Sequence, residues 1–262
     1  MSEMPPVRAV LFDLDGTLVQ TRESSWALFE RTNREFALGI DTREQFFALF
    51  HENMFVALQR LVADPQRSAA AVEHFLDLLR AEYAPPLVPG IADVVRRLAQ
   101  FLVLGIISTN SVEVIGRIVE NAGLEHCFAH IFGGDIEPDK REGIRKFLRD
   151  PSYATLRTGS HAYQESRPRR LEPAELVLVT DTVGDARHGR ECGVRVLGVS
   201  WGMHDPKALL GAGAEKILRW PQELVSWCAP SIKAVHGKGA FRMEVQDGPL
   251  GAETAPADRS DE

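Results

Sequence analysis

Cysteine is scarce in this chain of 262 residues: Cys127, Cys192 and Cys228 lie far apart and form no CxxC pair. That pattern points to neither a zinc site nor a disulfide framework. Long apolar runs are missing too, with none near the roughly 20 residues needed to cross a bilayer. The opening Met1-Ser2-Glu3-Met4-Pro5-Pro6 has none of the regions of a secretory leader. These absences predict a soluble, cytoplasmic protein. There is no excess of positive charge: the net charge is −7, and the stretch from Glu244 to Glu262 sets six acids against Arg259. The remainder is close to neutral, which gives no electrostatic case for nucleic-acid or membrane partners. Residues 229–262 include Gly248, Pro249, Gly251 and Pro256 with little that packs, and read as a disordered acidic tail. Internal repeats are absent, and the sequence is silent on oligomeric state.

What the chain does have is apolar material, 44% of its residues, enough for a full core plus a smaller inserted domain. Strand-like runs at Val7 to Phe12, Leu102 to Ile107, Ala129 to Phe132, Leu176 to Thr180 and Val194 to Val199 alternate with amphipathic helical stretches. Such alternation predicts an α/β fold, a doubly wound parallel sheet with its chemistry at the carboxyl ends of the strands. Residues 21–86 break the alternation. They lack strand signals and carry two apolar stripes at helical spacing, one of Phe46, Phe47, Phe50, Met54 and Leu58, the other of Phe75, Leu76, Leu78 and Leu79. This segment is expected to be an inserted all-helical cap. Pro85-Pro86-Leu87-Val88-Pro89-Gly90 would be the return hinge, and residues 1–20 and 87–228 the catalytic core. Residues 150–173 form a long basic stretch with Arg157, His161, Arg167, Arg169 and Arg170. It reads as a surface insertion, with an anion-attracting flap as the alternative.

Four segments carry chemistry. Asp13-Leu14-Asp15-Gly16-Thr17-Leu18 follows the apolar run Val10-Leu11-Phe12 and puts two carboxylates on a turn after a strand. One can attack phosphorus while the other, two positions on, handles a proton, and Gly16 eases the backbone out of the strand. Next comes the apolar run Leu102 to Ile107, ending in Ser108-Thr109-Asn110. Lys140 then stands ahead of Ile144, Phe147 and Leu148 at helical spacing, with Lys146 as the fallback. Finally, Leu176 to Thr180 runs into Asp181 and Asp185. Each residue also has a plainer reading: Ser108 and Asp181 as helix caps, Lys140 as a solvated lysine, Asp185 as a first-turn acid. Their joint order argues for a phosphoryl-transfer site, which needs a nucleophile, a divalent cation and donors to the equatorial oxygens.

In this order the four segments resemble the motifs of the haloacid dehalogenase superfamily of phosphohydrolases. The resemblance covers about Val7 to Leu224 and implies a phosphatase acting on a small phosphorylated metabolite. By it, Asp13 would attack phosphorus and form an aspartyl phosphate, and Asp15 would protonate the leaving alcohol and then activate water. Ser108, with Thr109 the second choice for the hydroxyl, and Lys140 would hold the transferring group, with Thr109 and Asn110 beside it. Mg2+ would lie among Asp13, the main-chain carbonyl of Asp15 and Asp181, with Asp185 as ligand or outer acceptor. The size of the cap resembles that of phosphoglycolate phosphatase-like members. Arg22, ahead of Arg31 and Arg34, is the cap residue placed to meet an anionic substrate group. One departure is Thr180, standing where the family usually has Gly before the first acid of the fourth motif. The alternatives are a sugar phosphomutase of the same fold and a binding protein that keeps the site without turnover. Dehalogenase chemistry is disfavoured, because it has no place for Asp15. His126 and His130 share a helical metal-pair spacing, but a helix end is expected between them. Gly133-Gly134-Asp135 reads as a turn, and His204 as a pocket-border residue.

Overall fold

The computed structural model describes residues 5–49, 54–61, 64–149 and 170–237. Strand β1 (Ala9–Phe12) leads through Asp13 to Gln20 into four helices: α1 (Thr21–Phe36), α2 (Arg43–Ala48), α3 (Met54–Leu61) and α4 (Pro65–Glu82). The chain then returns through α5 (Ile91–Leu98) to β2 (Val103–Ile107), α6 (Val112–Asn121), β3 (His130–Phe132) and α7 (Lys140–Arg149). After residues 150–169 come β4 (Leu176–Thr180), α8 (Val183–Glu191), β5 (Arg195–Val199), α9 (Pro206–Ala212), β6 (Lys216–Leu218) and α10 (Gln222–His236).

All six strands are parallel, in the order β3-β2-β1-β4-β5-β6. Each strand presents alternate residues to opposite faces, and both faces are covered. Val10, Phe12, Leu104, Ile106, Val177 and Val179 pack with α5, α6 and α10, whereas Ala9, Leu11, Val103, Ile107, Leu176 and Leu178 pack with α7, α8 and α9. Strand order reverses between β1 and β4, so the crevice at their carboxyl ends is the natural ligand position of this architecture.

The inserted helices build their own aromatic centre. Phe29 stacks on Phe46 at 4.5 Å and meets Phe75 edge-on at 5.5 Å. Local signals set the ends of these helices: Thr42 and Gln45 form a reciprocal capping box for α2, and Asp64 caps α4 ahead of Pro65. The two connections to the core run side by side, with the Gln20 amide donating to the Pro86 carbonyl at 2.8 Å and Val88 to Leu18 at 2.9 Å.

Three sequence expectations need comment. A sixth strand, β6, went unread because its three residues are too short to show periodicity. The stretch from residue 229 was expected to be disordered, but α10 continues to His236 across Pro230. Ile232 is the reason, fully buried against the core. Phe50, the side chain of Met54, residues 150–169 of the basic stretch and the tail from 238 lie outside the described residues.

Candidate active site

Asp13 follows β1 directly, and its amide extends the ladder by donating to the Val179 carbonyl at 2.9 Å. This fixes its carboxylate, which is almost fully buried, at the head of the crevice. Lys140 opens α7 from the opposite wall. Its Nζ donates to Asp13 Oδ1 at 2.7 Å and to Asp185 Oδ2 at 2.6 Å, with only 11% of the side chain exposed. Solvated-lysine behaviour is therefore excluded. Burial pulls the ammonium toward losing its proton, but Asp13 and Asp185 together outweigh that and hold its pKa above the ordinary lysine value. The fallback Lys146 lies elsewhere, paired with Glu137.

Asp15 sits two residues on and accepts from both sides. Its Oδ2 faces the end of β2, taking the Asn110 side-chain amide at 2.5 Å and the Ser108 hydroxyl at 3.4 Å. Ser108 is not the helix cap; that position belongs to Ser111, which accepts from Val114. Loop 108–110 is braced from behind, where the Gly134 amide donates to the Asn110 carbonyl at 2.9 Å. A Cβ on Gly134 would come within 2.5 Å of the Thr109 carbonyl oxygen. Gly133-Gly134-Asp135 is thus a turn, as expected, and one that shapes the site. Thr109 lines a shallow depression of about 390 Å³ with Pro138, Asp139, Lys140, Arg141, Asp185 and His188.

Asp181 leaves β4 and is held by the loop after β5: the Met203 amide donates to its Oδ2 at 2.7 Å. Thr182, not Asp181, caps α8. Asp181 lies hard against Gly16, where a Cβ would fall 2.1 Å from Oδ2. Gly16 has φ +74°, so both conformation and space demand glycine there. Burial, opposed by the Met203 amide, pushes the Asp181 carboxyl up to about 7. Asp13 is likewise raised, chiefly by burial, against the pull of Lys140 and with the charges of Asp185, Asp181 and Asp15 adding to the rise. Burial raises Asp15 as well, and the hydroxyls of Tyr83 and Thr21 partly offset it.

Asp185 sits in the first turn of α8 and is turned toward Lys140. The Thr180 hydroxyl also donates to its Oδ2 at 3.2 Å while accepting from the Thr182 amide at 3.1 Å. The side chain that departs from the family pattern is thereby built into the site. Among the described residues no three acidic, His or Cys side chains converge on one point as a ready-made metal cage. Asp181 Oδ2 adjoins the main chain at Gly16, and its charge is felt at Asp13.

Other sequence candidates have partners of their own. Arg22 is exposed on α1 with its guanidinium over the Phe47 ring at 4.5 Å. Arg31 pairs with Glu82 across the helical segment, and Arg34 lines a separate hollow with Trp26 and Glu30. His126 lies in a short 3-10 turn and His130 in β3, so no single helix carries both. His204 Nδ1 accepts from the Val183 amide at 2.8 Å and buttresses the Asp181 loop. Tyr83 and Thr21 escaped the sequence reading, and Thr180 entered it only as a departure from the family pattern: a hydroxyl among helical or strand residues carries no pattern until the fold points it somewhere.

The sequence profile of the haloacid dehalogenase-like hydrolases matches residues 10–199, a span that includes Asp13, Asp15, Ser108, Lys140, Asp181 and Asp185. A phosphoglycolate phosphatase from Synechococcus elongatus is 23% identical over 222 residues, 84% of this chain and 96% of its own length. A pyrophosphatase from Bacillus pumilus is 25% identical over 84% of this chain and 95% of its length. Among solved structures, a haloacid dehalogenase-like hydrolase from Streptococcus pneumoniae superposes with TM-score 0.68 at 23% identity, covering 84% of this chain and 98% of that one. With the profile running from β1 to the end of β5, this chain belongs to the haloacid dehalogenase-like hydrolase family.

Proposed function

We propose that this enzyme is a Mg2+-dependent phosphatase that hydrolyses a small phosphate monoester through a phosphoryl group carried on Asp13. The observation that supports this most is the placement of Asp13, Asp15, Ser108 and Asp181 after three neighbouring strands, with the buried Lys140 ammonium bonded to Asp13 and Asp185. The phosphatase relatives from Synechococcus and Bacillus agree with it.

The donor set suits the ion. Mg2+ takes oxygen ligands, needs one or two carboxylates and keeps its remaining positions for water and phosphate. Asp13, Asp181 and the Asp15 carbonyl would hold it, and Asp185 would steady Lys140 at the rim. Burial and the neighbouring acidic charges raise the carboxyls of Asp13 and Asp181, and a cation held there would oppose that rise. When bound, the cation neutralises charge on the phosphate oxygens and keeps the clustered acids ionised.

Asp13 supplies the attacking oxygen and accepts the phosphoryl group as the bond to the leaving oxygen breaks. Lys140, whose proton is held firmly, and the Ser108 hydroxyl stabilise the equatorial oxygens. Asp15 donates its proton to the leaving alcohol. It then takes a proton from the water that attacks phosphorus, which frees Asp13 and returns phosphate. The inserted helices would roof this crevice and admit only small esters.

The test is phosphate release from a panel of alkyl phosphates, sugar phosphates, phosphoglycolate, nucleotides and pyrophosphate, with Mg2+ and with chelator. Metal-dependent release that disappears in Asp13→Asn is expected. Phosphoryl return to a sugar instead of water would identify the mutase reaction, and no turnover of any compound would leave a binding protein.

A further inference from the structure

Tyr83 is the last element of the inserted helical segment before the chain re-enters the core, the residue that ends α4. Its side chain is 1% exposed, and its hydroxyl donates to Asp15 Oδ1. The Thr21 hydroxyl reaches the same oxygen at 3.0 Å, stands 2.9 Å from the Tyr83 oxygen and accepts from the Gly16 amide at 2.9 Å. Two hydroxyls from opposite ends of the segment thus converge on one carboxylate oxygen, and both belong to the connections between segment and core.

The two oxygens of Asp15 are consequently unequal. Oδ1 accepts from the two hydroxyls of the segment's ends. Oδ2 faces Ser108 and Asn110, where the transferring group would lie. The Tyr83 backbone is fastened as well: Arg117 on α6 donates to the Arg80 and Tyr83 carbonyls at 3.1 and 3.2 Å, closing the end of α4 from the core side.

We propose that Tyr83 is a positioning residue, pinning Oδ1 of Asp15 so that Oδ2 is the oxygen that passes a proton to the leaving alcohol. This rests on the phosphatase reading above. The acid is aimed only while the helical segment is seated on the core, so the same contact ties proton transfer to cap placement. Bond making is unaffected: Asp13 still attacks, the P–O bond to the alcohol breaks, and the proton on Oδ2 moves to the departing oxygen.

The consequence is selective. An alkyl leaving group needs the proton, whereas p-nitrophenolate leaves without it, so a misaimed acid harms the first and spares the second. Tyr83→Phe keeps the ring and removes the donor. We expect kcat for the fastest alkyl ester of the panel to fall about tenfold or more, KM to stay within about twofold, and kcat for p-nitrophenyl phosphate to fall less than about threefold. Arg117→Met, which loosens the Tyr83 backbone without touching the site, should show the same selectivity at smaller size. A thermal melt checks that both variants fold. Equal losses on the two esters, or no loss on either, would overturn the proposal. If wild-type enzyme releases phosphate from neither ester, the phosphatase reading itself falls and this one with it, and that outcome is recognised before any variant is made.

Discussion

Replacing Asp181 by Asn should make the metal-free protein more stable at neutral to alkaline pH while abolishing turnover. The Asp181 carboxyl is pushed from 3.8 to about 7, chiefly by burial. A shift of that size makes ionising it roughly 4 kcal/mol more costly in the folded protein than in the unfolded chain. Because the folded value is the higher one, the native state binds more protons than the unfolded state between about pH 4 and pH 7, and stability falls as pH rises through that window. Asn carries no charge to bury, so the variant escapes this loss. It also removes one of the charges that raise Asp13. The Met203 amide, now 2.7 Å from Oδ2, can still find the Asn carbonyl oxygen. A net gain of about 2–4 kcal/mol near pH 8 is expected in chelator, shrinking to under about 1 kcal/mol near pH 5. For a protein of this size that is a rise in Tm of roughly 5–10 °C. Urea unfolding followed by far-UV circular dichroism at both pH values measures it. Repeating the series with Mg2+ should narrow or invert the gap, since a ligand that binds only the folded state stabilises wild-type protein more than a variant with a poorer site. The reasoning fails if Asp181→Asn destabilises equally at both pH values, or if the difference between the proteins does not change with pH.

Other perturbations have different signs. Lys140→Met removes the ammonium shared by Asp13 and Asp185. It should cost about 3–5 kcal/mol in urea unfolding, the scale for stranding buried charges, and slow phosphate release at least about a hundredfold. Gly16→Ala drives a Cβ to 2.1 Å from Asp181 Oδ2 at φ +74°; it should lose turnover and about 1–3 kcal/mol, and a variant with wild-type kcat would contradict the close approach. Thr180→Gly, which restores the usual family residue, gives up the bonds to Asp185 and from the Thr182 amide. A stability loss of about 1–2 kcal/mol with kcat within about threefold is expected; a kcat loss above about tenfold would show that Asp185 needs its hydroxyl partner.

The α/β class, five of the six strands and the order of the motifs were legible in the chain because local physics writes them locally. Buried parallel strands must be apolar runs, a strand must end before its acids can face a crevice, and Gly16 must stand where φ is positive. Short β6 and the run of α10 through Pro230 were not legible, since three residues show no period and a helix that keeps going past proline does so on tertiary burial, here of Ile232. Sequence order also brought forward Asp13, Asp15, Ser108, Lys140, Asp181 and Asp185 as a set. It could not divide their labour: that Asp185 turns to Lys140, or that Thr180 serves Asp185, depends on which side chains meet across strands. Least visible of all was the hydroxyl pair on Asp15. Thr21 and Tyr83 stand 62 residues apart and share no pattern, and only the return of the helical segment to its starting point brings them to one oxygen.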